Sequence, residues 1–121
     1  MILVDTVYIN SYGGKALLEY LIESIRETKF SNKFIFFFDE RLEFEQNFVL
    51  PKHVTVKPSH FSRKKAYRNL KTNVHTIFCL ANVPPPIKLE KKVFIYFHNL
   101  LLLRKTNIYS LLRIYYIKFF N

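Results

Sequence analysis

Ile2-Leu3-Val4-Asp5-Thr6-Val7-Tyr8-Ile9, then Asn10-Ser11-Tyr12-Gly13-Gly14, then Lys15 to Thr28 and Phe34-Ile35-Phe36-Phe37-Phe38, is the stretch that decides the fold. The first run is rich in β-branched residues and reads as a strand. The five residues after it read as a turn. From Lys15 onward, Leu17, Leu18, Leu21, Ile22 and Ile25 fall at helical spacing, with Glu19, Glu23, Arg26 and Glu27 on the opposite face. Phe34 to Phe38 is a continuous apolar run, the pattern of a strand buried on both faces. Strand, helix and buried strand in that order predict a βαβ unit with parallel strands.

Working outward, Val54-Thr55-Val56 is a short strand closed by Pro58. Ser59 is placed to cap a basic helix over about His60 to Leu70. Val74 to Leu80 is another apolar strand, Pro84-Pro85-Pro86 an extended loop, and Val93 to Phe97 a fifth strand ending at His98-Asn99. Leu100 to Leu103 opens a helical stretch, and Ile108 to Phe119 reads as a last helix. Alternating strands and helices favour one open, mostly parallel α/β sheet with flanking helices. An α+β arrangement of the middle segment is the alternative, because strand 54–56 is short. A length of 121 residues fits a single domain, and no fixed-period repeat is evident.

Composition narrows the class. Half the residues are apolar, 17% are aromatic, and there are only two glycines. Collagen-like, linker and disordered classes are excluded. One cysteine excludes an intramolecular disulfide framework and a Cys-rich zinc module, and points to a reducing compartment. Cys79, inside a strand, reads as a small core residue. His53, His60 and His75 are not in ligand spacing with acids or Cys79, so no metal site is expected. Asp5 interrupts the first apolar run and no basic segment precedes it, which argues against a secretory signal. No uncharged apolar run reaches the ~18 residues of a membrane span. The net charge of +10 is uneven. Residues 1–45 hold eight acids and five bases, whereas the remainder holds fourteen bases and one acid, Glu90.

Four places are candidates for chemistry. Asn10 to Gly14 lies between strand and helix, where open α/β sheets bind ligands and helix N-termini attract phosphate. Both glycines of the chain fall here, allowing positive φ or a close backbone approach. Lys15 in the first helical turn opposes the macrodipole unless an anion is near. A plain tight turn is the competing reading. His98-Asn99, at the end of the fifth strand, is placed to hydrogen-bond a sugar hydroxyl or a phosphate, or else His98 is a satisfied buried histidine. Asp39-Glu40-Arg41 follows the second strand, where a cap or ion pair is expected rather than ribose binding, because the glycine fingerprint is missing. The basic helix carries Arg63, Lys64, Lys65 and Arg68, and the last helix Arg113 and Lys118. Basic, aromatic-rich helices suit an anionic membrane surface. Nucleic acid ranks lower, since no nucleic-acid-binding signature is present. A solvated basic face is the bland reading.

Taken together, the opening Ile2 to Asn10, Gly13-Gly14-Lys15 with Leu17 to Leu21, Phe38-Asp39-Glu40-Arg41, Asn82-Val83-Pro84-Pro85-Pro86 and Tyr96-Phe97-His98-Asn99 resemble the amino-terminal domain of a bacterial GT-B-type glycosyltransferase. The resemblance is to family-four-like enzymes of surface polysaccharide biosynthesis and runs from residue 1 to about residue 105. It implies a single Rossmann-like domain over residues 1–121, half of a two-domain architecture. That domain binds mainly the acceptor, with Asn10, Asn82 and Asn99 placed toward it. The glycine turn Gly13-Gly14-Lys15 approaches the phosphates or sugar of the donor, and His98 is the catalytic residue that contacts the transferred sugar. No metal or cofactor is implied, the nucleotide-sugar being a substrate. The family's carboxyl-terminal donor domain has no counterpart in these residues, so the expectation is an acceptor-side half that is inactive without a donor domain or partner subunit. A cytoplasmic protein, peripheral on the inner face of the plasma membrane, is expected. The competing expectation is a non-enzymatic basic α/β module that binds an anionic membrane surface or a protein partner.

Overall fold

The computed structural model describes residues 1–70 and 73–96 of the chain. Among them the elements run β1 (Ile2–Asp5), α1 (Tyr12–Arg26), β2 (Phe34–Asp39), β3 (His53–Val56), α2 (His60–Arg68), β4 (Thr76–Cys79) and β5 (Lys92–Ile95). The strands form one sheet in the order β3-β2-β1-β4-β5. Every pair is parallel, with Ile2 beside Phe34 on one side and Thr76 on the other. The open parallel α/β expectation therefore holds. The α+β alternative falls, because the short β3 pairs in parallel with β2.

Alternation along the strands builds two cores. Leu3, Ile35, Phe37, Ile77 and Cys79 point to the face covered by α2 through Tyr67. Val4, Phe36 and Phe38 point to the face covered by α1 through Leu18 and Ile22. The α1 stripe is the one read from spacing. No helix joins β2 to β3; instead Leu42, Phe44 and Phe48 fold back onto the α1 face, with the Phe44 and Phe48 rings stacked at 5.0 Å. Ser59 caps α2 as expected, its hydroxyl accepting the Ser62 N–H at 3.2 Å.

Two boundaries differ from the sequence reading by more than two residues. β1 ends at Asp5, four residues before Ile9. There the Asp5 carboxylate accepts the Val7 N–H at 3.1 Å and the chain turns, closed by Ile9 N–H to the Thr6 carbonyl at 3.0 Å. Val7 and Ile9 stay buried beyond the strand, which is why the apolar pattern reads straight through. In turn, α1 begins at Tyr12, so Gly13, Gly14 and Lys15 belong to its first turn and not to the loop before it. The helices expected over 100–103 and 108–119 lie outside the described residues, as do His98, Asn99, Arg113 and Lys118.

Phe36 is fully buried at the centre of the sheet. Phe36→Ala is expected to lower unfolding free energy by ~3–5 kcal/mol, read by urea denaturation. A loss below ~1 kcal/mol would contradict this placement of β2.

Candidate functional site

The chain lays β2 and β3 to one side of β1, then returns to lay β4 and β5 on the other. The strand order thus reverses between β1 and β4, and ligands of such sheets bind in the crevice outside the strand ends at that point. Here that crevice has a volume of about 290 Å³ and is lined by Tyr8, Ile9, Asn10, Ser11, Gly14, Ala81 and Asn82. The structure therefore brings together Asn10, Gly14 and Asn82 from the sequence candidates. None of the lining side chains is charged; amides, a hydroxyl and a phenol supply the polarity. A larger groove of about 590 Å³ runs between β3 and α2, floored by Ile35, Phe37, Val54 and Val56. It lies away from the reversal point, and its polar lining is mainly basic, with Lys52, Lys57 and Lys65 against Glu40.

Backbone strain concentrates at the crevice. Tyr8 (φ 84°), Tyr12 (φ 55°) and Asn82 (φ 61°) have positive φ, whereas neither glycine does. The expectation that the glycines supply left-handed backbone is thus corrected. Nor does packing require them: a Cβ at Gly13 would meet nothing within 4 Å, and one at Gly14 would touch the Ile9 side chain at 3.4 Å. Ser11 makes no side-chain cap and the first turn of α1 holds no acid, so that helix start faces the crevice without an anionic partner of its own. Lys15 does not line the crevice; its ammonium lies 3.7 Å from Glu19, which supplies the anion its position called for.

Two buried carboxylates brace the site. Asp39, at the end of β2, accepts the Tyr8 N–H at 3.0 Å and holds the Arg41 guanidinium through Nε (3.0 Å) and Nη2 (2.9 Å). The expected ion pair is present, and it turns the carboxylate inward. Burial pushes the Asp39 pKa up, but the Arg41 hydrogen bonds, the Tyr8 N–H and the Arg41 charge together hold it below its ordinary value.

Asp5, at the end of β1, is 1% exposed and meets Arg63, itself 2% exposed. Arg63 Nε and Nη2 lie 2.8 and 2.7 Å from Asp5 Oδ2, and Tyr67 donates its hydroxyl to the same oxygen at 2.6 Å. Arg63 is thus not a surface residue, which corrects the membrane-surface assignment. It lies on the inward stripe of α2 with Ala66 and Tyr67, which Leu70 continues just beyond the helix, while Lys65 and Arg68 are exposed and Lys64 is half-buried. Burial disfavours the Arg63 cation, yet the Asp5 charge, Tyr67 and the Asp5 hydrogen bond together outweigh it and raise the pKa. Burial, then Asp5, raises Tyr67 and pushes the Cys79 thiol up to about 12, so Cys79 is an inert core group. The sequence signal for this cluster was an acid inside an apolar strand, which demands a buried cation.

No family model, curated protein or solved structure matches this chain. The site is therefore read from its own geometry. Among the described residues, no three His, Cys, Asp or Glu side chains gather as a metal site, and no helix is long and apolar enough to cross a membrane.

Arg63→Met leaves Asp5 buried without its cation and is expected to cost ~3–5 kcal/mol. Arg68→Ala, on the exposed face of the same helix, should stay within ~0.5 kcal/mol. Equal losses in chemical denaturation would return Arg63 to the surface. Acid titration reads Asp39. Its folded pKa is depressed below 3.8, so its contribution is full above that value and lost as pH falls through the lowered folded value. Asp39→Asn should be less stable near neutrality and show a flatter acid limb; an unchanged acid limb would contradict the bracing role.

Proposed function

We propose that this chain is the acceptor-side domain of a GT-B-type glycosyltransferase, family-four-like, moving a sugar from a nucleotide-sugar donor to a polysaccharide or lipid-linked acceptor. The observation that carries this reading is Gly13-Gly14. Two adjacent glycines in a first helical turn weaken the helix. Positive φ and crowding are both absent there. What remains is a backbone kept bare at the rim of a switch-point crevice, where a ligand can approach it closely. The neutral amides of Asn10 and Asn82 across that crevice suit hydroxyl groups.

In this reading Asn10 and Asn82 orient the acceptor so that one hydroxyl faces the donor. The N–H groups at the start of α1 face the donor sugar or diphosphate across the cleft. The acceptor hydroxyl oxygen forms the new glycosidic bond as the bond to the nucleoside diphosphate breaks, and its proton leaves to the departing diphosphate or to solvent. The negative charge left on the diphosphate is met by helix dipole and basic side chains. His98 and Asn99 keep their proposed roles of contacting the transferred sugar and the acceptor. The donor is held by a second domain, in a longer chain or a partner subunit, so this chain alone does not turn over.

NMR titration of the whole chain with neutral disaccharides (lactose, maltose, chitobiose) tests the reading. Amides of Asn10, Gly14 and Asn82 should shift saturably. The double variant Gly13→Ala/Gly14→Ala should be as stable as the wild type or ~0.4–1 kcal/mol more so per site, yet lose those shifts. Absence of any saccharide response, undiminished binding by the variant, or turnover of a nucleotide sugar by this chain alone would contradict it.

The outer face of α2 favours a second component. Phe61 is 76% exposed and stands beside Lys64, Lys65 and Arg68 on a helix without an acid. This suits peripheral docking on an anionic cytoplasmic leaflet, where each Lys or Arg near the surface contributes ~1 kcal/mol. Such docking also serves the alternative, a non-enzymatic membrane- or partner-binding module. Lys64→Glu/Lys65→Glu/Arg68→Glu should abolish co-sedimentation with phosphatidylglycerol vesicles. Binding indifferent to anionic lipid and to salt would defeat this component.

A further inference from the structure

We propose that Arg63 is a positioning residue that sets the width and shape of the β1–β4 crevice from behind, by holding both of its walls with one guanidinium. On the β1 side it grips Asp5, whose other carboxylate oxygen takes the Val7 N–H. Its guanidinium carbon also lies 5.8 Å from the centroid of the Tyr8 ring, a crevice residue. On the β4 side, Nη1 donates to the Pro84 carbonyl at 2.7 Å and Nη2 to the Val83 carbonyl at 3.0 Å. Those two residues directly follow Asn82, the crevice residue with φ 61°. Tyr8 and Asn82, both in left-handed backbone, are therefore fixed from the same buried group.

Left-handed backbone at non-glycine residues persists only where the surroundings over-determine it. For Tyr8 the surroundings are the Asp39 hydrogen bond and the Arg63 contact. For Asn82 they include the two carbonyls that follow it, held on Arg63. The planar fork is what allows this. Its donors point in fixed, divergent directions, whereas a lysine ammonium is a single point that cannot reach Asp5 and two carbonyls together. The arrangement rests on the crevice being the ligand site only for its significance to binding; the geometry is testable without any ligand.

Amide spectra of the uniformly labelled full chain test it. In wild type, the Arg63 Nε–H should be seen in slow exchange with cross-peaks to Tyr8 and Pro84, and a freely exchanging guanidinium would overturn the proposal whatever the variants do. In Arg63→Lys, the amides of Val7, Tyr8, Asn82 and Val83 should move. In Ile22→Val, a core variant on the opposite, α1-covered face of the sheet, the same four should stay at their wild-type positions. Where Arg63→Ala folds, guanidinium ion well below denaturing concentration should return them and methylammonium should not. Wild-type positions in Arg63→Lys, or equal movement in Ile22→Val, would reduce Arg63 to a general stabiliser. The disaccharide titration repeated on Arg63→Lys separates the two readings. Moved amides with no saccharide binding even in wild type leave Arg63 in place and remove the sugar site. Saccharide binding unchanged by Arg63→Lys, with the amides unmoved, does the reverse.

Discussion

A carboxylate buried at the end of the central strand is the constraint that organises this domain. Asp5 follows Leu3 onto the α2 face of the sheet, where water does not reach it. An unpaired charge there would be prohibitive, so the face opposite must bring a cation and further donors. The chain answers with Arg63 and Tyr67, one helical turn apart on α2. The same guanidinium then gathers the carbonyls of Val83 and Pro84, and the second oxygen of Asp5 turns the chain at Val7. One acid thereby fixes the docking of α2, the end of β1 and the course of the loop after β4.

Asp39 does the same on the neighbouring strand. It faces inward to Arg41 and to the Tyr8 N–H instead of outward to a ligand. Both acids at the strand ends are thus structural. The surface they leave at the crevice is neutral and polar, with strain held in Tyr8, Tyr12 and Asn82 and a bare backbone at Gly13-Gly14. Such a surface is suited to hydroxyl groups and to a phosphate that approaches the helix start, as the proposed acceptor-side role requires.

Much of this architecture was legible in the residues. The Phe34 to Phe38 run and the Leu17–Ile25 stripe state their burial openly, and parallel pairing follows from strands that are apolar on both faces. Legibility failed where burial and secondary structure part company. Val7 and Ile9 are core residues outside any strand, so β1 read too long and α1 too late. It failed again where a charged residue is core. Arg63, Ala66, Tyr67 and Leu70 form an inward stripe, yet among five positive charges the arginine reads as one more surface cation. Asp5 was the available clue, since an acid within an apolar strand predicts a buried partner. Among the described residues positive φ falls at two tyrosines and an asparagine; Asn adopts that region locally, whereas Tyr8 is held there by contacts with Asp39 and Arg63 that no local pattern encodes.

The central claim is that the β1–β4 crevice, held open by these braces, receives a neutral sugar against the backbone of α1's first turn. A crystal structure of the chain soaked with a neutral disaccharide tests it most directly. The account predicts a sugar ring between Asn10 and Asn82 in contact with the Gly14 backbone, with Asp5 and Asp39 still turned inward. A sugar bound in the groove between β3 and α2 while the crevice stays empty would contradict it.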